Sequence, residues 1–377
     1  MIIATLAETG SETRVAITPN SAKNYIKSGF EVYIEKNAGQ AAGFHDAEYE
    51  KVGAKISDNR KKLLEQTNIL LCINEPDPKD LIGLAQNALI IGHIDNEPQS
   101  KLINWCKEKQ ITLLSMNLIP RISRAQSMDS LSSQANLAGY RAVLEATSQY
   151  LRAVPMMMTA AGMIQPAKVL ILGAGVAGLQ AIATAKRLGA VVYAFDVRRA
   201  AKEQVESLGA EFVEVSQDQD SETKGGYASE TSEEYKKLQA ELIDQYAKLA
   251  DIVISTALIP GRKAPVLLYK STIEQMKPGS VVVDLATARG GNCELSVADK
   301  TIKHGEVTLI GLSNMAGLVP TTASELYANN LVHLINLLAK TAPEIQLNPD
   351  DEIIQQAVLC HQGQYLPFQE TKEKQNA

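Results

Sequence analysis

The sequence predicts an α/β protein of two domains, each a doubly wound, mostly parallel sheet. The chain has 377 residues, and domains typically run to roughly 100–200 residues each. Short β-branched runs alternate with helical patterns, as βαβ units require. Two long helical patterns, Ser132 to Ala153 and Thr322 to Leu338, flank the second stretch of alternation. The chain is therefore expected to cross into a second domain on one long helix and return on the other. The expected division is 1–130 plus 325–377 for a discontinuous N-terminal domain and 135–322 for the second, with a ligand cleft between them.

In the first block the strand runs are Ile2–Thr5, Glu31–Glu35, Ile69–Ile73, Ala88–Gly92 and Ile111–Ser115. Thr18-Pro19 supplies an N-cap followed by Pro at the first helical position, and Gly29 closes that helix. Gln99–Lys109 reads as a second helix. The crossing helix carries Leu137, Tyr140, Leu144, Thr147 and Leu151 at helical spacing. The second block has strand runs at Lys168–Leu172, Val191–Phe195, Glu211–Val215, Asp251–Ser255, Ser280–Asp284 and Val307–Ile310, and its first helix spans Val176–Leu188. After Leu338 the periodicity weakens, and these residues are expected to pack on the first domain.

Composition narrows the function classes. Hydrophobic residues make up 45% and charged residues 21%, as in ordinary globular proteins. The net charge of −6, without a Lys/Arg-rich run, argues against nucleic acid as a partner. Cys72, Cys106, Cys293 and Cys360 lie far apart, so no zinc-ribbon or disulfide framework is expected, and no metal site. Glu8 interrupts the N-terminus before any run long enough for a signal peptide, and Val169–Ala185 is broken by three glycines. A cytoplasmic protein with reduced thiols is expected.

Residues 216–234 break the alternation, with six carboxylates, one lysine and a lone aromatic, Tyr227, beside Gly225-Gly226. Such a stretch cannot bury enough apolar surface to fold alone. It reads as a mobile loop or lid, or as a solvated insertion.

Gly173-Ala-Gly175-Val-Ala-Gly178 follows one strand directly and opens a helix, the context in which GxGxxG carries weight. Gly173 permits the tight turn, Gly175 lets backbone approach a pyrophosphate, and Gly178 lets helix and strand pack closely. The next strand ends in Asp196, 18 residues after Gly178. A carboxylate there accepts hydrogen bonds from a ribose 2′-hydroxyl and repels a 2′-phosphate, which favours NAD over NADP. Arg198 and Arg199 follow and can bind a phosphate, so the preference stays open. The loops starting at Thr256 and Asp284 also follow strand ends and should face the same ligand.

The least ordinary stretch is 118–134, LIPRISRAQSMDSLSSQ. Gln126, Asp129 and Ser132 are three apart and share one face if the segment is helical. Arg121 can pair with Asp129 or with a phosphate. A solvated connector is the plainer reading, but a place at a domain boundary favours a ligand site. His93, at a strand end, reads as a packed or capped residue more readily than as a catalyst.

With these residues in view, PRISRAQSMDSLSSQANLAGYRAV, GAGVAGLQAIATAKRLGA, the DVR at 196–198, TALIPGRKAPVL and MKPGSVVVDLA…GGNCE resemble the NAD(H)-binding component (domain I, α1 subunit) of proton-translocating NAD(P) transhydrogenase. That family shares its fold with alanine dehydrogenase. The resemblance runs to about residue 340 and rests chiefly on RxxxxQxxDxxS. It implies that Arg121, Gln126, Asp129 and Ser132, with Ser127 and Met128, line the nicotinamide end of NAD(H) and serve hydride transfer. It implies that Val176, Asp196, Val197, Arg198, Gly226, Gln239 and Leu258 line the rest of the dinucleotide in a Rossmann-like domain, with Tyr227 tipping a mobile loop. It further implies a homodimer, an NADP(H)-binding β subunit and a membrane-spanning α2 subunit as partners, and a peripheral place at the cytoplasmic face of the inner membrane. The run Asn314–Pro320 departs from the family pattern.

Two rival functions remain. An alanine dehydrogenase-like enzyme needs a proton donor and a group that holds the substrate carboxylate. The family's lysine is Asn74 here and its second aspartate is Ala288, although Arg14 and His93 are kept. Hydride exchange between two nicotinamides needs no general acid or base, so the missing groups are dispensable there. A non-catalytic NAD-sensing module would not need the Arg121–Ser132 segment.

Overall fold

The computed structural model describes residues 1–215, 233–259, 262–339 and 344–366. It divides into Met1–Gln134 with the described residues from Val319 onward, and Ala135–Leu318.

The first unit is built on β1 (Ile2–Thr5), β2 (Glu31–Glu35), β3 (Lys55–Ser57), β4 (Ile69–Asn74), β5 (Leu89–His93) and β6 (Thr112–Ser115), laid side by side in the order β6-β5-β4-β1-β2-β3 and all parallel. Its inner strands are continuous apolar runs, because a parallel sheet is covered on both faces. Helix α1 (Pro19–Lys27) starts where expected: Thr18 and Ser21 form a reciprocal capping box, with Pro19 in the first turn. Gly29 follows at φ +86°. Helices α2 (Asp46–Lys51), α3 (Arg60–Gln66) and α4 (Lys101–Lys109) complete the crossovers, Ser100 capping the last.

Helix α5 (Ser130–Gln149) leads into the second unit. It ends four residues before the expected Ala153, and Leu151 is 87% exposed where helical spacing placed it on a buried face. Pro155 bars helical backbone at Val154, but nothing in its reach accounts for the end at Gln149. A short hairpin of exposed apolar residues follows, β7 (Met157–Thr159) and β8 (Gly162–Ile164).

The second sheet comprises β9 (Lys168–Leu172), β10 (Val191–Phe195), β11 (Glu211–Val213), β12 (Ile252–Ser255), β13 (Val281–Asp284), β14 (Thr301–His304) and β15 (Val307–Ile310). Their order is β11-β10-β9-β12-β13-β15-β14, parallel except for β14. Helices α6 (Val176–Arg187), α7 (Ala201–Ser207), α8 (Glu233–Leu249) and α9 (Lys270–Ile273) connect them. Strand order reverses between β9 and β12, the switch point at which a doubly wound sheet opens a crevice beyond its carboxyl ends.

Helix α10 (Pro320–Leu338) returns the chain to the first unit, burying Tyr327, Leu331, Leu334 and Ile335 in its core. The stretch of weak periodicity holds α11 (Glu352–Ala357) and two strands, β16 (Val358–His361) and β17 (Gln364–Tyr365). β16 pairs antiparallel with β6 and β17 with β16, which extends the first sheet to eight strands among the described residues. The four cysteines are buried and free.

Candidate functional site

The glycine loop joins β9 to α6, and its three glycines serve different ends. Gly173 sits at φ +100°, and a Cβ there would lie 2.7 Å from the Thr256 hydroxyl. At Gly178 a Cβ would lie 1.8 Å from the Gly173 carbonyl oxygen, so helix and strand approach only without a side chain. Gly175 is different: its φ is −78°, and a Cβ would meet only an Arg198 nitrogen at 4.0 Å. The fold itself does not demand a glycine there. The open space lies at the N-terminus of α6, where N–H groups lack intrahelical partners and the helix dipole favours an anion. A dinucleotide pyrophosphate fits this place.

Asp196, at the end of β10, is 6% exposed and hydrogen-bonded throughout. One oxygen accepts from the Ala174 N–H at 2.7 Å and Arg198 Nη2 at 2.9 Å. The other accepts from the Arg198 backbone at 2.8 Å and its Nε at 2.9 Å. The residue expected to select the ribose thus ties the glycine loop to Arg198, the residue left open as a phosphate ligand. Val197 is half-buried, Gln239 on α8 is half-buried, and Val176 and Leu258 are exposed.

The Thr256 loop lies against the glycine loop across the switch point: its N–H donates to Leu172 and its hydroxyl to Gly173. Two fully buried residues shape the neighbouring loops. Asn292 accepts from the Ala257 N–H and donates to the carbonyls of Ala257 and Pro265. Asp284 accepts from the N–H groups of Ala286, Asn292 and Cys293, each at 2.9 Å. Sequence reading passed over both as individuals, although the strand-end rule pointed at their loops. In the divergent run, the Gly317 N–H donates to the Asn314 side chain at 2.9 Å, closing the turn before α10.

In the first unit the polar segment does not form one helical face. A 3-10 helix covers Ser123–Met128, the chain bends at Asp129 (φ −71°, ψ 85°), and α5 starts at Ser130. The break follows from Asp129 capping α5: its carboxylate accepts from the Ser132 N–H at 2.9 Å and the Ser132 hydroxyl at 2.5 Å. Ala125 and Met128 anchor the segment in the core, which leaves Arg121, Gln126 and Ser127 exposed. Arg124 forms a two-pronged ion pair with Asp351, both distances 2.8 Å.

Arg14 and His93 are engaged internally. Arg14 clamps Glu12 through Nε (2.8 Å) and Nη2 (2.6 Å) and donates to Gln134 at 2.8 Å. Burial alone would raise Glu12, but the Arg14 hydrogen bonds and charge, with an Asn74 amide at 2.9 Å, hold it near 2. Burial, with the charge of Arg14, pushes His93 down to about 3. Its Nε2 pairs with the Ser130 hydroxyl at 2.8 Å, and its ring stands edge-on to Tyr327. His93 is therefore a neutral packed residue. Glu8 is pushed up to about 7 by burial, against hydrogen bonds from the Ile73 and Asn74 N–H groups.

Gly226 and Tyr227, with the rest of the 216–232 stretch, lie outside the described residues, as do Pro260 and Gly261. Among the described residues no group of His, Cys, Asp and Glu is placed to hold a metal ion. No described helix is long and apolar enough to cross a membrane.

Comparison with known proteins matches residues 4–138 to the family "Alanine dehydrogenase/PNT, N-terminal domain" and residues 142–367 to "Alanine dehydrogenase/PNT, C-terminal domain". The chain belongs to the alanine dehydrogenase/PNT family. Within that family it is 44% identical over 371 residues to the first of the polypeptides that make up the NAD(P) transhydrogenase alpha subunit of Rickettsia prowazekii (strain Madrid E), covering 97% of this chain and 96% of the relative. A solved transhydrogenase from Sinorhizobium meliloti superposes with a TM-score of 0.88 at 44% identity, covering 97% of this chain and all of that one. An L-alanine dehydrogenase superposes at 0.80 with 25% identity, covering 97% of each chain. Both branches of the alanine dehydrogenase/PNT family thus share the fold, and this chain is nearer in sequence to the transhydrogenase branch.

Proposed function

We propose that this chain is the NAD(H)-binding subunit of a proton-translocating NAD(P) transhydrogenase. On this reading the GxGxxG turn and the N-terminus of α6 hold the pyrophosphate. Asp196 and Arg198 border the ribose, with Val176, Val197, Gln239 and Leu258 completing the wall. Arg121, Gln126, Ser127, Met128, Asp129 and Ser132 serve the nicotinamide end. Bound NAD(H) supplies or accepts a hydride, exchanged with NADP(H) on a β-type partner subunit. The chain's own contribution is positioning, which brings reacting atoms to about 3–3.5 Å. Proton translocation belongs to a membrane-spanning partner, which holds a homodimer of this chain at the cytoplasmic membrane face.

The observation that carries the reading is the space above Gly175 at a helix N-terminus, beside the Asp196–Arg198 pair. An amino-acid dehydrogenase is disfavoured by Asn74 standing where that chemistry wants a lysine, and by His93 being engaged with the Ser130 hydroxyl and the Tyr327 ring. The test is calorimetric titration with NADH and NADPH, followed by hydride transfer after mixing with the NADP(H)-binding partner. Tight, selective NADH binding with transfer supports the proposal. Failure to bind NADH overturns it, and NADH-dependent reduction of pyruvate with ammonia would move the chain to the rival reading.

A further inference from the structure

One buried side chain bridges the break in the polar segment. Asn330 of α10 is 8% exposed, and its amide is used at both ends. Its Nδ2 donates to the Ser127 carbonyl at 2.8 Å, and its Oδ1 accepts from the Ser133 hydroxyl at 2.8 Å. Ser127 lies in the last turn of the 3-10 helix, where carbonyls lack intrahelical partners, and Ser133 lies in the first turn of α5. A single planar amide therefore fixes the two pieces against each other across Asp129. Its own position is set by Tyr327, Leu331 and Leu334, buried around it on the same helix.

We infer that Asn330 is a positioning residue for hydride transfer, setting the angle between the 3-10 turn that presents Gln126 and the α5 turn that carries Asp129 and Ser132. The inference rests on the transhydrogenase reading of the segment. The Asp129 side chain fixes only the start of α5, since both of its bonds run to Ser132, and the 3-10 turn is tied to it only through the Asp129 N–H, which donates to the Gln126 carbonyl at 3.2 Å. The Arg124–Asp351 pair holds the 3-10 turn from another side, but Arg124 is half exposed and that pair restrains less. Without Asn330 the angle between the turn that presents Gln126 and the capped start of α5 rests on that backbone bond and the packing of Ala125 and Met128. Misplacement of about 1 Å in such a constellation costs roughly a hundredfold in rate.

The test uses the complex reconstituted with its NADP(H)-binding partner. Asn330→Asp keeps the acceptor for Ser133 but sets an oxygen against the Ser127 carbonyl. Stopped-flow hydride transfer should fall at least tenfold, while NADH affinity changes less than threefold and the unfolding midpoint moves by only a few degrees. Ser133→Ala removes one arm and should give an intermediate loss, whereas Ser133→Thr, which keeps the hydroxyl, should retain the wild-type rate. Should Asn330→Asp fail to fold, the two Ser133 variants carry the test by themselves. Wild-type transfer in Asn330→Asp, or in Ser133→Ala if only that variant folds, overturns the inference. So does a fall in rate that merely tracks NADH affinity or thermal stability. A wild-type complex that binds NADH and transfers nothing instead overturns the transhydrogenase reading itself.

Discussion

Asp129 accepts two hydrogen bonds from Ser132, one from its N–H and one from its hydroxyl. The pair expected to face a nicotinamide is thus also the device that starts α5. Losing an N-cap acceptor costs about 1 kcal/mol of stability. Asp129→Ala should show that loss in urea unfolding together with weaker NADH binding, and Asp129→Asn, which keeps an acceptor, should recover most of the stability. If Asp129→Ala unfolds like wild type, the capping role is wrong.

Gly175 and Gly178 make opposite predictions on one motif. A Cβ at Gly178 has nowhere to go, 1.8 Å from a backbone oxygen, so Gly178→Ala should fold poorly or not at all. Gly175→Ala meets nothing closer than 4.0 Å and should fold with a near-normal melting curve. Its NADH affinity should nevertheless fall at least tenfold, because the methyl enters the space assigned to the pyrophosphate. Unchanged NADH affinity in folded Gly175→Ala would remove that assignment.

Asp196 pairs with the Arg198 guanidinium through two hydrogen bonds and accepts two more, from the Arg198 and Ala174 backbone N–H groups. On the proposed reading the extra phosphate of NADPH would face this carboxylate, and like-charge contacts of that kind disfavour wrong ligands by several kcal/mol. Wild type should bind NADPH far more weakly than NADH. Asp196→Ala removes the carboxylate that repels a phosphate and should narrow the gap, losing some NADH affinity as the glycine loop loses its tether. Equal wild-type affinities for the two nucleotides would contradict this.

Much of this was legible because its causes are local. Continuous apolar runs marked Ile2–Thr5, Val191–Phe195 and Val307–Ile310 with their observed ends, and Thr18-Pro19 marked the start of α1. Three-residue strands such as Lys55–Ser57 are too short for periodicity to show, and β16 and β17 are strands because an open sheet edge receives them. The bend at Asp129 was missed for a related reason: a three-residue spacing fits both one helix and a capped restart. Asn330 was invisible, since its partner Ser127 lies 203 residues away and its own helix reads as an ordinary apolar face.

Glu8 carries a pH dependence whose sign can be worked out. Its carboxyl titrates near 7 in the folded chain against an ordinary 4.5, so the folded state binds the proton more tightly. Stability therefore falls as pH rises from about 4.5 to 7, by on the order of 1–3 kcal/mol. Glu12, Arg14, Cys72 and Tyr327 are the charged and titratable groups coupled to it. His93, pushed down to about 3, works in the opposite sense, costing stability as pH falls below 6.5. Glu8→Gln isolates the first effect: its stability gain over wild type should be larger at pH 8 than at pH 5 in urea titrations. A gain that is the same at both values would show that Glu8 does not titrate in that window.

Gln126 separates binding from chemistry. It is exposed on the 3-10 turn, while the nearby Asp129 and Ser132 are bonded to each other. On the proposed reading this exposed amide, anchored by the buried Ala125 and Met128 beside it, stands at the nicotinamide end and reaches outward to NADP(H) on the partner. A group that touches only the assembled reacting pair contributes to transition-state positioning and little to ground-state affinity. Gln126→Asn, shorter by one methylene, should keep NADH binding and association with the partner near normal. Its rate of hydride transfer should fall tenfold or more, about 1.4 kcal/mol of barrier. Arg121→Ala should behave differently and weaken NADH binding as well, since a guanidinium at that end of the segment can meet a phosphate. Stopped-flow transfer to an NADP analogue, beside a separate NADH titration, distinguishes the two. If Gln126→Asn loses NADH affinity in step with rate, the residue is an ordinary nucleotide contact and the outward reach is wrong.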